Sequence, residues 1–358
     1  MIRFFISRLL SGLLVVAGVV VVVFLLFNVL PGDPARMVLG QRADLASVEV
    51  INRELGRDLP LAKQFALYVN DLSPISVLNA ADSASRVFAD SGKYGAWLTL
   101  LPFGRYEVVI KYPCLRRSYQ TRENVGAMLM DALPGTVVLS VSALLFAAII
   151  GIGLGVLSAL YKGKLTDRLI LFLSVTGMSV PSFFAGILIA WLFGFVLNEW
   201  TGLEMTGSLT EIDPFEGSRY KWSNLILPAI TLGIRPLSVI VQLTRSSLLE
   251  VMAQDYIRTA RAKGLSEWAV IFGHALRNAL NPVLTAISGW FGSLLAGAVF
   301  IEYVFGWKGV GKLTVDALEM YDFPVVMGSV LMVSVFFVLI NVAVDMLYAR
   351  LDPRVKME

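Results

Sequence analysis

The sequence predicts an all-α integral membrane protein with six transmembrane helices, and two observations support that fold class. Hydrophobic residues make up 56% of the 358 residues, charged residues only 16%, and the mean hydropathy is +0.72, values outside those of soluble domains. Six apolar runs are also long enough for a helix to cross a bilayer core of about 30 Å, which takes about 20 residues. The runs are 9–30, 133–160, 169–197, 225–244, 279–301 and 324–344.

These runs are predicted to be helical, because a helix satisfies its own backbone hydrogen bonds and the alternation of a barrel strand is absent. The single cysteine, Cys114, excludes an internal disulfide, and the single histidine, His274, leaves no cluster of transition-metal ligands. We therefore expect neither a metal nor a cofactor. The net charge of +3 is too small to indicate nucleic-acid binding.

Lysines and arginines in the short loops set the predicted orientation. With the N-terminus inside, thirteen of them lie in cytoplasmic segments and four in outer loops. The thirteen are Arg3, Arg8, Lys162, Lys164, Arg168, Arg245, Arg258, Arg261, Lys263, Arg277, Arg350, Arg354 and Lys356. The four are Arg219, Lys221, Lys308 and Lys312. Both termini are therefore predicted to be cytoplasmic.

The spans divide the chain into three parts. Residues 1–30 hold the N-terminal end and the first span, 31–132 form an extracytoplasmic loop or cap, and 133–358 form the transmembrane core with a cytoplasmic loop at 245–278. The first apolar run is longer than a signal-peptide core and lacks a small-x-small cleavage site, so we expect it to be retained.

The extracytoplasmic loop is long enough to fold by itself. Its first residues, Pro31-Gly-Asp-Pro34, end the first helix, because proline cannot continue one. Residues 48–72 carry apolar side chains at helical spacing, namely Ile51, Leu55, Phe65 and Val69. A small folded cap is expected.

The cytoplasmic loop predicts a helix, a tight turn and a second helix. The first helix should run to Lys263 and end at Gly264, since glycine readily takes the left-handed conformation of a C-cap. The second should begin after Ser266, an N-cap residue, with Glu267 in its first turn. Such a basic hairpin could be held by a cytoplasmic partner, or it could be a solvated loop without one. The residues alone leave both interpretations open.

A family resemblance decides between them. The stretch YIRTARAKGLSE at 256–267, followed by HALRNAL, resembles the coupling loop, or EAA loop, of permease subunits from dipeptide and oligopeptide ATP-binding-cassette (ABC) importers. Against the general EAA pattern, Arg258 and Thr259 depart, whereas Ala260 and Gly264 match. Similar segments lie elsewhere in the same order, and they are LPGDP at 30–34, ALPGTVVLSVSALL at 132–145, GVLSALYKGKLTDR at 155–168, VPSFF at 180–184, LPAITLG at 227–233 and LDPR at 351–354.

The resemblance implies a type I ABC importer permease fold with a large extracytoplasmic insertion between helices 1 and 2. Two further departures accompany it: residues 73–111 look like that insertion, and Trp307-Lys308-Gly309 stands where the family often has Trp-Pro-Gly. The location implied is the bacterial inner membrane, with several spans in the lipid bilayer.

In function, the resemblance implies a non-enzymatic transport subunit that forms half of a pathway for peptides or a similar small solute. The implied partners are a second permease subunit, two ATP-binding cassette ATPase subunits and an extracytoplasmic solute-binding protein. The residues implied in ATPase coupling are Asp255, Tyr256, Arg258, Thr259, Ala260, Arg261, Ala262, Lys263 and Gly264. The alternative is a secondary transporter or channel, which commonly uses acids inside its spans, and the six predicted runs contain none.

One segment resembles a nucleotide-binding motif but departs from it. The sequence GWKGVGKL at 306–313 nearly matches a P-loop, yet Leu313 replaces the Ser or Thr that should follow Lys312. The predicted topology also places it outside the cell. We expect a glycine-rich turn rather than a phosphate site.

Within the predicted spans, Arg235 is the ionised residue, and two roles are open for it. It could line the translocation pathway and meet a substrate carboxylate, or it could pair with a polar group of a neighbouring helix or of the second permease. Gly151 and Gly155 form a small-xxx-small pair that favours close helix packing. Pro181 and Pro236 are expected to kink their helices.

Overall fold

Helices form most of the computed structural model, which describes residues 2–29, 58–83, 85–213 and 217–351. In chain order the helices are α1 (Ile2–Val29), α2 (Leu61–Leu72), α3 (Ser91–Tyr94), α4 (Val125–Leu160), α5 (Leu165–Ser179), α6 (Ser182–Trp191), α7 (Asn198–Thr201), α8 (Ile226–Met252), α9 (Asp255–Ala262), α10 (Leu276–Phe305), α11 (Val310–Glu319) and α12 (Phe323–Leu351). Wider π-helical turns extend α6 over Leu192–Val196 and precede α10 over Ala269–Ala275.

The chain is mostly helical, as predicted, but it is not all-α, because two small sheets lie between the helices. Strands β1 (Ile75–Asn79), β2 (Trp97–Phe103) and β3 (Tyr106–Lys111) form an antiparallel sheet in the order β1-β3-β2. Strands β4 (Thr210–Asp213) and β5 (Gly217–Tyr220) form a hairpin. The run from Tyr106 is rich in β-branched residues, which suit a pleated surface. The first sheet lies within residues 73–111, the predicted insertion.

Helices that are long and apolar enough to cross a membrane match most of the predicted apolar runs. Among the described residues, five helical stretches are long and apolar enough to span, or up to six if a bent pair counts as one. The five are Ile6–Phe27, Val125–Leu160, Trp222–Met252, Ala269–Phe305 and Phe323–Met346.

The predicted third span is not one straight helix. The pair Leu165–Ser179 and Ser182–Val196 is bent by 112°. Val180 is extended, with φ −75° and ψ 133°, because the ring of the following Pro181 disfavours helical geometry in the residue before it. By contrast, Pro236 lies inside the continuous helix α8.

The described chain forms two compact units. The first comprises the described residues of Met1–Leu10, Ala132–Lys312 and Phe336–Glu358. Its main core contains Leu139, Leu232, Ile301, Phe305 and Trp307. Helix α4 packs closely on α8 at Gly151 and Gly155, which confirms that these two glycines allow close helix packing. A Cβ on Gly151 would lie 2.9 Å from Ile240 Cγ2, and one on Gly155 would lie 2.5 Å from Thr244 Cβ.

The second unit comprises the described residues of Ser11–Asp131 and Leu313–Val335. Helix α2 packs on α1 through Phe65 and Tyr68, whose rings lie 5.0 and 5.7 Å from that of Phe24. The sheet is held to α2 by the buried Asp71, whose carboxylate accepts a hydrogen bond of 2.8 Å from the hydroxyl of Tyr94. Burial and this carboxylate raise the pKa of that hydroxyl, so it stays a donor.

Some predictions fall partly or wholly on residues that the structure does not describe. The LPGDP segment at 30–34 and the first half of the 48–72 helix lie outside the described residues, as does the LDPR segment after Leu351. The second half of the predicted helix is confirmed by α2, which carries Phe65 and Val69.

Candidate coupling hairpin and buried polar sites

The predicted helix–turn–helix is present at residues 255–275, and both of its predicted end signals are confirmed. Helix α9 ends at Ala262, and Gly264 adopts the left-handed conformation with φ +79°. The hydroxyl of Ser266 accepts a hydrogen bond of 3.3 Å from the backbone N–H of Ala269, as an N-cap does. The first helix begins only at Asp255, because the chain breaks between Met252 and Asp255 instead of continuing from α8.

This coupling hairpin, defined as residues 255–275, is fixed to its own unit by one apolar face. Ile257 and Ala260 of α9 are buried with Val270 and Ile271 of the second helix. They form one cluster with Leu248 of α8 and with Val156 and Ala159 of α4. The hairpin is therefore a packed element rather than a loose loop, so a force applied to it is transmitted to two membrane helices.

Its other face is exposed and carries eight of the nine residues expected to couple to an ATPase. These eight are Asp255, Tyr256, Arg258, Thr259, Arg261, Ala262, Lys263 and Gly264. Ala260 is the exception: it is 7% exposed and packs inward, so its role is to hold the hairpin rather than to touch a partner.

Polar contacts stiffen the hairpin. The guanidinium of Arg261 donates two hydrogen bonds across the turn to the carboxylate of Glu267, at 2.8 and 3.2 Å. The Asn278 amide donates a hydrogen bond of 2.8 Å to the hydroxyl of Tyr256, which ties α9 to the start of α10. Arg258 and Asp255 form an ion pair of 3.2 Å that is almost fully exposed.

A buried ion pair lies at the end of α8 that leads to the hairpin, and the sequence analysis did not find it. The guanidinium of Arg245 donates to both carboxylate oxygens of Asp167, at 2.7 and 2.9 Å. Ser158 and the backbone N–H of Gly163 donate two more hydrogen bonds to the same carboxylate, at 2.5 and 2.8 Å. The side chain of Asp167 is only 3% exposed. This site joins α4, α5 and α8.

The P-loop-like segment surrounds a buried carboxyl group of the same chain. Glu302 is fully buried near the end of α10 and accepts hydrogen bonds from the hydroxyl of Thr136 at 2.6 Å and from the N–H of Lys312 at 3.0 Å. The Thr136 hydroxyl oxygen accepts another from Val310 N–H at 2.8 Å. Gly309 packs directly on the Glu302 carboxyl group. The glycine-rich turn is thus confirmed, and its amides bind an internal carboxyl group.

Acids do lie within the helices that are long and apolar enough to cross a membrane, contrary to the prediction from the six apolar runs. The helices extend beyond the predicted runs, so the stretches long and apolar enough to span include five acids, namely Asp131, Asp167, Glu250, Glu302 and Asp345. Hydropathy falls sharply at an acid, which ended the predicted fifth run at Ile301, one residue before Glu302. Of these acids, Asp167 and Glu302 are buried, and each accepts hydrogen bonds from its own chain, as structural groups do.

Arg235 lies near the middle of α8 with its side chain exposed. Among the residues that the structure describes, none forms an ion pair or hydrogen bond with this guanidinium. The interpretation of Arg235 as a pair with a neighbouring helix of this chain therefore finds no support in the described residues.

Comparison with known proteins identifies the family. Residues 151–357 match the family described as binding-protein-dependent transport system inner membrane component. Residues 1–84 match the N-terminal region described for such membrane components. The chain belongs to this family. It is a permease component of an ABC importer and a multi-pass protein of the inner membrane, and this finding does not support the secondary transporter or channel.

Curated relatives of this permease align over nearly its whole length. It is 34% identical over 356 residues to the glutathione transport system permease protein GsiC of Escherichia coli (strain K12), with 99% of each chain covered. It is 38% identical over 371 residues to the di/tripeptide transport system permease protein DppB of Pseudomonas aeruginosa (strain UCBPP-PA14), with 98% of each covered. These relatives are permease subunits and not enzymes.

A solved structure supports the fold. The MetNI methionine ABC transporter, in an inward-facing conformation, matches with a TM-score of 0.50 and 18% identity. The match covers 63% of the permease and 97% of that chain. At this identity the likeness concerns the fold alone.

Proposed function

We propose that the permease forms half of a translocation pathway for peptides or a similar small solute, coupled through the hairpin to separate ATPase subunits. The single observation that carries the proposal is the two-sided hairpin. Its buried face holds α4 and α8, and its exposed face presents the residues that resemble an EAA loop. The names of GsiC and DppB, which refer to glutathione and to di- and tripeptides, support a peptide-like solute.

The proposed assembly contains a second permease subunit, two ATP-binding cassette ATPases and an extracytoplasmic solute-binding protein. ATP hydrolysis belongs to the ATPase subunits. The bent pair counts as one span, which makes six, and both termini face the cytoplasm. In this arrangement residues 1–30 hold the first span, 31–132 the extracytoplasmic part with its insertion at 73–111, and 133–358 the core. The positive-inside distribution of lysine and arginine supports this orientation.

Alternating access is the proposed mechanism. ATP binding closes the two ATPases, and closure moves the hairpins that are seated on them. Because the buried face of each hairpin packs on α4 and α8, these helices move with it. A ligand can shift such an equilibrium only through contacts that differ between the two states, and the exposed residues at 255–264 are the proposed site of that difference.

Charge reversal on the exposed face tests the proposal. We expect Arg258→Asp to lower solute-stimulated ATP hydrolysis by the reconstituted complex about tenfold, which corresponds to about 1.4 kcal/mol. Arg258 is 75% exposed at its side chain, so the change should not disturb the fold. Arg105→Asp is the matched control, because Arg105 is an exposed arginine of the β2–β3 turn, far along the chain from the hairpin.

The measurements are the amount of ATPase that copurifies with the permease and its stimulation by solute-loaded binding protein. Equal copurification and stimulation for the two variants would refute the coupling role of the hairpin. Loss of stimulation in Arg105→Asp alone would instead assign coupling to the other part of the chain.

A further inference from the structure

Helix α8 carries a polar stripe that begins at Arg235. Gln242, Ser246 and Glu250 follow Arg235 at intervals of seven, four and four residues, which places them on one face of a helix with 3.6 residues per turn. Arg235, Ser246 and Glu250 are exposed and Gln242 is half-buried. Opposite faces of the same helix bury Ile240, Val241 and Leu248 in the core.

Contact with lipid is energetically unfavourable for the charged end of this stripe. A charged side chain near the centre of a bilayer is costly, and such residues face a protein interior or a water-filled cavity. The Ser246 hydroxyl satisfies itself by donating to the carbonyl of Gln242 at 2.9 Å. Within the described residues of this chain, the guanidinium of Arg235 has no hydrogen-bond acceptor. Its five donors therefore require water, a solute or another subunit.

The stripe is closed at one end and open at the other. On the same face, Pro228, Thr231 and Leu232 precede Arg235 by one to two turns, and all three are buried. Leu232 belongs to the main core of its unit. Exposure thus starts at Arg235 and continues to the end of α8 at Met252, which the proposed orientation places in the cytoplasm. Arg235 lies at the closed end.

The neighbouring helix continues the polar surface without adding charge at that depth. Helix α10 packs on α8 through Val283, which shares a cluster with Ile240. It leaves Asn281, Thr285 and Ser293 exposed within its membrane-crossing stretch. Glu250 of the stripe and Arg277 of α10 are also exposed, but both lie towards the other end of α8, so Arg235 is the charged group at the closed end and the potential there is positive.

We propose that the stripe from Arg235 to Ser246 lines the translocation pathway and that Arg235 binds a carboxylate of the passing solute. This inference rests on the proposed permease function and deepens it by naming the chemical class of the solute. A guanidinium presents a rigid fork of donors that matches a carboxylate. A peptide carries a carboxylate at its C-terminus, so Arg235 alone favours binding of that end of the peptide at this depth.

Thiol labelling of the assembled complex tests both parts of the inference. Cys114, the single native cysteine, is buried and is first replaced by serine. Cysteine is then placed at Gln242, at Ser246 or, as the matched control on the same helix, at Ser238, which is 1% exposed. The probes are the small thiosulfonates MTSES, which is anionic, and MTSET, which is cationic. We expect Gln242→Cys and Ser246→Cys to react with either probe at least about tenfold faster than Ser238→Cys.

The charge of Arg235 is tested at Gln242→Cys, which lies about 10 Å along the helix from it. Arg235→Gln should lower the ratio of MTSES to MTSET rates about tenfold, because the positive potential is lost. Arg235→Lys keeps the charge and should retain most of the ratio. Arg105→Gln, which removes an exposed arginine from the β2–β3 turn, should leave it unchanged.

Each outcome separates the inference from the function on which it rests. Labelling at Gln242→Cys and Ser246→Cys no faster than at Ser238→Cys in every nucleotide state would mean that another subunit covers the stripe, which overturns the inference. If labelling is fast but Arg235→Gln does not change the ratio of MTSES to MTSET rates, the proposal that Arg235 binds a carboxylate is overturned. In both cases, stimulation of ATP hydrolysis by binding protein shows that the proposed function stands. Absence of stimulation before any substitution at Arg235 would refute the function itself.

Discussion

Gly309→Ala is expected to prevent the permease from accumulating as a folded chain, with a loss of stability of about 3 kcal/mol or more. The backbone at Gly309 does not adopt a positive φ, so alanine is not strained there by itself. The added Cβ would overlap the Cδ, Oε1 and Oε2 atoms of Glu302. The carboxyl group could escape only by abandoning its hydrogen bonds from Thr136 and Lys312, and Glu302 is fully buried. Leaving a buried polar group without its hydrogen-bond partner costs about 1–3 kcal/mol, and here several groups would lose a partner.

The measurement is the melting temperature and the monodisperse fraction of the detergent-solubilised permease. Gly297→Ala is the control, since this glycine lies on the same helix as Glu302 and an added Cβ there meets nothing within 4 Å. A second variant, Thr136→Val, keeps the shape of the side chain but removes the hydroxyl that bridges Glu302 and Val310. It should destabilise the permease, whereas Thr136→Ser should not. If Gly309→Ala and Gly297→Ala have the same melting temperature, the packing of the turn on Glu302 does not stabilise the permease.

The sequence contained enough information for the coupling hairpin, because its signals are local. Gly264 and Ser266 end one helix and begin the next by backbone chemistry that does not depend on the rest of the chain. The same holds for Gly151 and Gly155, whose spacing places both on one face of α4. Hydropathy likewise located the apolar runs.

The buried polar sites could not be predicted in this way, because their partners are distant in sequence. Thr136 and Glu302 are separated by 166 residues, and Asp167 and Arg245 by 78. A hydropathy scan also treats an acid as the end of a span, although an acid with enough donors can lie inside one. The repeated glycines of the P-loop-like segment were the available signal for Glu302. Glycines that cradle an anion need not belong to a nucleotide site, and here the carboxyl group lies seven residues before Gly309.

The first sheet was missed for another reason. Residues 48–72 have apolar side chains at helical spacing, whereas the strands at 75–111 are short. Strand β2 is apolar on both faces, and its register shifts between Thr99 and Leu101. A bulge of this kind breaks the two-residue alternation by which a strand is recognised.

Arg245→Met is expected to be the second most damaging change, and the damage should be partly reversed by Asp167→Asn. Removing one member of a buried ion pair leaves an uncompensated charge and costs about 3–5 kcal/mol, whereas replacing both members is close to neutral. The side chains of Asp167 and Arg245 are 3% and 23% exposed, so solvent compensates the remaining carboxylate poorly. In the double variant, the N–H of Gly163 can still donate to the amide oxygen of the asparagine, and the hydroxyl of Ser158, which faces the other terminal atom, can accept from its amide nitrogen.

The double variant also separates stability from coupling. Arg245 lies on the part of α8 that runs into the coupling hairpin, and Asp167 fixes that part to α4 and α5. If the pair serves only stability, Asp167→Asn with Arg245→Met should restore both the melting temperature and solute-stimulated ATP hydrolysis. If the pair also transmits movement from the hairpin, the melting temperature should recover while stimulation stays at least about fivefold lower. The exposed pair of Arg258 with Asp255 supplies the stability control, because Arg258→Met should leave the melting temperature unchanged. Equal melting temperatures for Arg245→Met and Arg258→Met would contradict the structural role of the buried pair.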